Sequence, residues 1–208
     1  MFFKGEWKTA FAPARTKEQP FRLRSGTEKP VSMMMGIVDA GFWQNENLRA
    51  VALPYGKKEQ AQIYFVILQS KNRSKPFSTA RWDIAKALRN VSFVPAKFAI
   101  SLPKFAVEVQ SDVRRPLEQV GLTALFEQTS RFPGFTKSQT TPLMIAHAVT
   151  VDVDEVGTVA AAATTVSTTR SMETVPIPFV VDAPFAFTIS HIRLRLDLVQ
   201  GIIEDPTV

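Results

Sequence analysis

Residues 156–169 have the sequence VGTVAAAATTVSTT, and this segment carries most of the structural information in the chain. It contains no charged, aromatic or proline residue, although Glu155 precedes it and Arg170 follows it. Its β-branched residues favour an extended backbone, and its small side chains would fit into a crowded sheet. An uncharged, proline-free segment of this kind can add to an open strand position. The alternative is a flexible linker, although a linker usually has more Gly, Ser, Pro or charge.

The residues just before this segment alternate in polarity. Val149, Val151 and Val153 would lie on one face of a strand, with threonine and aspartate between them on the other. Gly157 is the only glycine of the segment and comes just after an acidic residue, where a hinge between strand and loop would need it. The pattern therefore predicts a strand, a hinge and then a detachable strand.

Further outward, the chain reads as an α+β protein with mostly antiparallel sheets. Short β-prone runs are separated by Pro or Gly, and the predicted strands include 7–11, 21–24, 31–35, 48–53, 61–68, 98–102, 104–109, 142–154, 185–192 and 194–203. One helix is predicted after Pro76 and a second from Ser111-Asp112 to Gly121, whose missing side chain suits a helix end.

Composition excludes several classes of protein. The 208 residues are 45% hydrophobic and 21% charged, which allows a packed core. The absence of cysteine excludes disulfides, thiolate metal sites and cysteine nucleophiles.

The basic residues that give the net charge of +6 are scattered along the chain, so we expect no nucleic-acid partner. A basic domain that binds anions is a minor alternative. No apolar run is long enough to span a membrane, and we expect no membrane partner. No catalytic, metal or cofactor motif is present, so we expect no enzyme and no cofactor.

Residues 153–164 resemble the hinge of the serpins, a family of protease inhibitors, which is commonly written VNEEGTEAAAAT. The glutamate, glycine, threonine and alanine run all match, whereas Val156 and Val159 stand where Glu or Lys is usual. Other segments resemble serpin motifs in the family's order, namely FFKGEWKTAF at 2–11, Met33-Met34, Leu53-Pro54-Tyr55, LPKF at 102–105, the helix at 112–126, DAPFAF at 182–187 and GIIEDPTV at the end.

The resemblance implies a suicide-substrate inhibitor, whose reactive-centre loop, here about residues 156–178, is cut and then inserts into a sheet. The hinge residues it implies are Glu155, Gly157, Thr158, Ala160, Ala161, Ala162 and Ala163. It also places two residues where the sheet opens. His147 matches a buried, hydrogen-bonded family histidine, and Trp7 matches the tryptophan at the top of the sheet, with core packing as the alternative.

The bond offered to the protease is expected at one of two places. Counting from Glu155 as in the family points to Ser171-Met172, whereas chemistry favours Arg170-Ser171. An arginine would enter the acidic specificity pocket of a trypsin-like protease. Ser171 or Met172 would instead imply a chymotrypsin- or elastase-like target.

Residues 1–208 are expected to be an incomplete serpin domain, its C-terminal portion, with the N-terminal helical half missing. Such a truncated chain should inhibit weakly or not at all by itself, and its exposed strands should favour self-association. A non-inhibitory, serpin-like binding protein is the alternative. Family resemblance implies a secreted, extracellular protein, although the N-terminus shows no signal peptide and an intracellular location stays open.

Overall fold

A computed structural model describes residues 3–56, 62–72, 88, 91–126, 145–158 and 175–207. The chain divides into two compact units, of which the smaller is Met1–Phe3 with Val107–Val151 and the larger is Lys4–Ala106 with Asp152–Val208. Of the helix predicted after Pro76, only Leu88 is described, and it is helical.

Strands dominate the described residues, as the sequence predicted. They are β1 (Gly5–Glu6), β2 (Lys17–Arg22), β3 (Glu28–Gln44), β4 (Leu48–Pro54), β5 (Ile63–Ser70), β6 (Val94–Pro103), β7 (Phe105–Asp112), β8 (Ala146–Val153), β9 (Gly157–Thr158), β10 (Ile177–Val180), β11 (Phe185–His191) and β12 (Leu196–Ile203). The helical elements are α1 (Arg114–Gln119) and the 3-10 turns Pro13–Arg15 and Thr123–Phe126.

The larger unit is built on an eight-stranded sheet. Its strand order is β10-β6-β3-β4-β5-β11-β12, and β2 pairs with the first half of the long strand β3. Among the described residues, every strand pairing in this sheet is antiparallel except that of β10 with β6. The prediction of an α+β fold with mostly antiparallel sheets is therefore confirmed.

The core of the larger unit is aromatic. Phe65, in the middle of the apolar strand β5, is fully buried and stacks on Phe187 of β11 with ring centroids 5.3 Å apart. It also meets the edge of Trp7 at 5.6 Å and the ring of Phe105 at 6.4 Å. Such buried rings dominate core energetics because each removes a large apolar area from water. The contact with Phe65 therefore packs the Trp7 ring against this aromatic core.

The smaller unit contains most of β7 and β8, which are neighbouring strands, and helix α1. The helix begins at Arg114 rather than at Asp112, because the Asp112 carboxylate accepts hydrogen bonds from the backbone N–H groups of Arg114 and Ile145 and so lies outside the first turn. Gly121 ends the helix with φ +93°, as predicted.

The described part of the predicted hinge in the larger unit includes the short strand β9 (Gly157–Thr158). β9 pairs antiparallel with β1, through Gly5 with Thr158 and Glu6 with Gly157. Thr158 also pairs with Val153 at the end of β8. Two of the predicted hinge residues, Gly157 and Thr158, therefore form a strand between β1 and the end of β8.

The prediction of a strand at 7–11 is wrong. Only Trp7 makes an isolated bridge, to Tyr55, and the chain then bends. The backbone N–H groups of Trp7 and Phe11 donate instead to the carbonyls of Val156 and Glu155, at 2.9 and 2.8 Å. The backbone N–H groups of these two residues therefore bond to the predicted hinge, and not to a neighbouring strand in a regular pattern of sheet hydrogen bonds.

Candidate functional site

The hinge begins with a turn that the Asp154 side chain closes. Its Oδ1 accepts the backbone N–H groups of Val156 at 2.9 Å and Gly157 at 3.0 Å. The backbone N–H of Asp154 donates to the carbonyl of Gly157 at 2.9 Å. Aspartate commonly organises turns in this way, since its short carboxylate reaches backbone groups two residues on. The turn reverses the chain from β8 into β9.

Gly157 lies where no side chain fits. A Cβ at this position would lie 2.0 Å from the carbonyl oxygen of Gly5 and 2.7 Å from the Cα of Glu6. Both are backbone atoms, which cannot move aside as a flexible side chain can. The glycine is therefore required by the close approach of β1, and not only by a need for flexibility at a hinge.

Thr158 anchors β9 through a buried hydrogen bond. It is completely buried, and its Oγ1 lies 2.7 Å from the hydroxyl oxygen of Tyr55, which follows β4. Burial raises the pKa of the Tyr55 phenol, while the bond to Thr158 acts in the opposite direction. Tyr55 stays protonated at neutral pH, so its hydroxyl can either donate to Thr158 or accept from it. Leaving either hydroxyl without its partner would expose a buried polar group to an apolar environment.

Trp7 holds the other side of the turn. Its ring stacks on Tyr55 with centroids 4.7 Å apart and planes 8° from parallel, and its indole Nε1 donates to the carbonyl of Asp154 at 2.8 Å. Trp7 is buried and packs in the core, which was the alternative expectation, and its indole N–H bonds to the backbone just before Glu155. Its role in the opening of a sheet stays a prediction.

Glu155 is held by three elements. Its carboxylate accepts a hydrogen bond from Thr16 Oγ1 at 2.7 Å and pairs with Lys104 Nζ at 2.8 Å, while its backbone carbonyl accepts the N–H of Phe11. Burial acts to raise the pKa of this carboxyl, but the hydrogen bond from Lys104, that from Thr16 and the lysine charge outweigh it. The pKa of Glu155 is lowered as a result, so the group is ionised at neutral pH.

Several predicted residues have no described position. Ala160, Ala161, Ala162 and Ala163 lie outside the described residues, as do the candidate bait residues Arg170, Ser171 and Met172. Their roles stay predictions.

His147 contradicts the expectation of a buried histidine. It lies near the start of β8 with an exposed side chain, as do Ala146 and Ala148 on either side. Burial in β8 sets in only towards its end, at Val151 and Val153, where the strand approaches the hinge.

Sequence reasoning missed three side chains that hold the hinge, which are Tyr55, Lys104 and Thr16. Tyr55 and Lys104 lie in the segments LPY and LPKF, which contributed to the family resemblance. The sequence therefore marked both positions, but it did not indicate that they contact residues 155–158. Thr16 has no such signal. Within the described ranges, no cluster of three acidic or histidine side chains could hold a metal ion. No helix in the same ranges is long and apolar enough to cross a membrane.

Comparison with known proteins agrees with the geometry. A family model described as Serpin (serine protease inhibitor) matches residues 1–206. The sequence is 30% identical to mouse (Mus musculus) glia-derived nexin and 28% identical to bovine (Bos taurus) leukocyte elastase inhibitor, each over 99% of this chain but only 53% and 57% of the relative. The solved structure of native protease nexin-1 with heparin matches with a TM-score of 0.79 and 26% identity, over 99% of this chain and 54% of that one. The chain thus spans about half the length of these relatives.

Proposed function

Because this chain belongs to the serpin family, we propose that residues of about 156–178 form a reactive-centre loop that a serine protease cuts. The observation that carries this proposal is the position of β9, the start of the loop, between β1 and the end of β8. A loop that enters a sheet needs a fixed first pair of residues from which further pairs can form. Gly157 and Thr158 supply that pair.

The contacts of the hinge suit this use. Asp154 closes the turn, Tyr55 fixes Thr158, and Lys104 fixes Glu155. Together they set the register in which any later residue would pair, since a strand shifted by one residue would turn its side chains to the opposite faces. The small residues 160–163 that follow would meet little steric conflict on entry.

The proposed bait bond is Arg170-Ser171, and the proposed partner is a trypsin-like serine protease. The protease serine attacks the carbonyl carbon of Arg170, the amide bond to Ser171 breaks, and the new amine of Ser171 leaves with a proton. The protease then remains attached to Arg170 as an ester for as long as loop insertion outpaces hydrolysis. The protein supplies a bond and a strand and performs no catalysis, and the family resemblance favours an extracellular location.

Cleavage after Ser171 or Met172 is the alternative, with a chymotrypsin- or elastase-like partner. The similarity to a relative named leukocyte elastase inhibitor supports this alternative.

The 208-residue polypeptide tested by itself should be a substrate more than an inhibitor. The chain covers 53% of glia-derived nexin and 57% of leukocyte elastase inhibitor. A polypeptide of about half that length supplies fewer strands to receive the loop, and a strand paired on one side only gains less. This observation also favours the second candidate function, a serpin-like binding protein that does not inhibit.

Incubation with trypsin, chymotrypsin and elastase tests the proposal on denaturing gels. We expect trypsin to cut the chain at Arg170 without a lasting covalent complex, and Arg170→Ala to remove that cut. A stable covalent complex between a protease and this chain would show that the chain inhibits by itself. That result would contradict the expectation that it is a poor inhibitor, although it would support the proposed mechanism. Resistance of the 156–178 loop to all three enzymes would contradict the proposal itself.

A further inference from the structure

The hairpin turn between β11 and β12 exposes an unusual combination of side chains. Residues 192–196 alternate aliphatic and basic, as Ile-Arg-Leu-Arg-Leu. Ile192 is 44% exposed, Leu194 68% and Leu196 51%, and both Arg193 and Arg195 are exposed as well. Contact between large aliphatic side chains and water is unfavourable. A contiguous group of such side chains on a protein surface therefore marks an interaction site.

The exposure belongs to a defined turn. The backbone N–H of Ile192 donates to the carbonyl of Gln62 at 3.0 Å, which ties the hairpin to the chain just before β5. The N–H of Arg195 donates to the carbonyl of Ile192 at 3.1 Å, and the N–H of Leu194 donates to Nδ1 of His191 at 3.3 Å. The aliphatic side chains are therefore presented to solvent by a hydrogen-bonded tip.

Arg195 occupies a backbone position that suits glycine better. Its φ is +50°, and it is the one non-glycine residue with positive φ among those that the structure describes. A side chain in this region is uncommon outside Asn, Asp and His, because Cβ crowds the backbone. Turn geometry alone would favour Gly or Asn, so it does not explain why an arginine stands here.

The two arginines are available to a partner. No ion pair involves Arg193 or Arg195 among the pairs formed by the described residues. Asp197, the next acidic residue along the chain, is occupied by other groups: its Oδ1 accepts from Ser190 at 2.5 Å and its Oδ2 from Gln200 at 3.0 Å. The tip therefore carries net positive charge beside exposed aliphatic groups.

We infer that this hairpin tip, residues 192–196, docks on the surface of an anionic lipid bilayer. The arginines would bind lipid phosphate and carboxylate groups, while the aliphatic side chains enter the boundary between headgroups and acyl chains. A polyanionic sugar would satisfy only the arginines and leave the three aliphatic side chains in water. The sequence predicted no membrane partner because it lacks a spanning run, but peripheral docking needs no such run.

Sedimentation with lipid vesicles tests the inference with the whole chain. We expect binding to vesicles of phosphatidylcholine mixed with phosphatidylserine, weaker binding to phosphatidylcholine alone, and loss of binding as salt is raised. Replacing both Arg193 and Arg195 by Gln should lower affinity about 25-fold, about fivefold for each arginine lost from an anionic surface. The control replaces Lys17 and Arg22 of β2 by Gln, which removes the same charge elsewhere and should lower affinity less than about threefold.

Arg195→Gly separates folding from docking. Glycine adopts positive φ without crowding, so this variant should unfold at the same or a higher temperature, yet bind anionic vesicles about fivefold more weakly. A variant that binds lipid as tightly as the original chain would overturn the inference, because folding cannot account for that result.

A fluorescent label reports penetration directly. The chain has no cysteine, so Leu194→Cys creates a single site for a polarity-sensitive dye, with Val94→Cys on β6 as the matched exposed control. Blue-shifted, brighter emission from the Leu194 site alone on anionic vesicles is the expected result. Equal responses at both sites, salt-sensitive binding to heparin without vesicle binding, or concentration-dependent self-association of the tip without lipid binding would each contradict the inference.

Discussion

At the scale of single residues, the hinge depends on two hydroxyl groups that meet away from water. Tyr55 and Thr158 lie 103 residues apart in the chain, yet their oxygens are 2.7 Å apart in a buried position. A buried pair of this kind contributes through the desolvation penalty that each partner would suffer alone. Each hydroxyl should therefore matter more when its partner is present than when its partner has been removed.

Tyr55→Phe should lower the free energy of unfolding by about 1–2 kcal/mol, because Thr158 Oγ1 loses its partner. Thr158→Val should cost a similar amount, about 1–2 kcal/mol, for the reciprocal reason. The double variant should cost clearly less than the sum of the two. Urea denaturation of all four proteins measures this coupling, and strictly additive losses would show that the hydrogen bond contributes nothing.

Glu155 should make stability depend on pH. Its pKa is lowered in the folded chain by Lys104 and Thr16 against the effect of burial, so it binds its proton more weakly when folded than when unfolded. The stabilisation is therefore complete above the unfolded pKa of about 4.3 and is lost as pH falls through the folded value. Melting temperatures measured from neutral to acid pH should fall more steeply for the original chain than for Glu155→Gln.

The matched control is the substitution Glu18→Gln, because Glu18 is an exposed glutamate on β2. It should leave the shape of the melting profile unchanged. A Glu155→Gln profile parallel to that of the original chain would contradict the role assigned to the ion pair with Lys104.

At the scale of elements, β9 is short and depends on the absence of a side chain at Gly157. Gly157→Ala should separate β9 from β1, since its Cβ would lie 2.0 Å from the Gly5 carbonyl oxygen. Amide hydrogen exchange should become faster at residues 157 and 158, and the Trp7 indole N–H should lose protection. Gly26→Ala is the control, because Gly26 has φ +89° but nothing within 4 Å of its Cβ position. Equal effects of both variants on the hinge amides would point to general strain and against the close approach.

The turn before β9 permits a second test. Asp154→Ala removes the acceptor of two backbone N–H groups and should destabilise the chain by about 1 kcal/mol. Asp154→Asn retains a side-chain carbonyl at the same position and should restore most of the loss. Thermal unfolding of the pair distinguishes them; an asparagine variant as unstable as the alanine variant would mean that charge, and not the turn, is what matters.

Local patterns predicted most of the strands. Alternation placed Val151 and Val153 on a buried face of β8, and the apolar run at 63–68 became the buried centre of β5. The same reasoning failed at 7–11, because those backbone groups bond to the hinge and not to a neighbouring strand. The family resemblance, in turn, was wrong about the burial of His147, because burial depends on which chain segments cover a strand, and a motif match contains no information about them.

At the scale of the whole molecule, the order of the motifs indicated the family, and the family match over residues 1–206 confirmed it. The partners of the hinge were not predictable in the same way. Thr16 and Glu155 are 139 residues apart, and Trp7 and Asp154 are 147 apart. Such contacts follow from sheet topology and not from local sequence, so they emerge only when the chain is folded.

The digestion of the folded chain by trypsin, followed by intact mass, tests the reactive-loop claim most directly. β11 and β12 follow the proposed bait bond and pair with each other, and β11 also pairs with β5, so both cleavage products should stay associated in native buffer. The account predicts that the first products are residues 1–170 and 171–208, eluting as one species. A first cut at another lysine or arginine while the Arg170-Ser171 bond stays intact would contradict it.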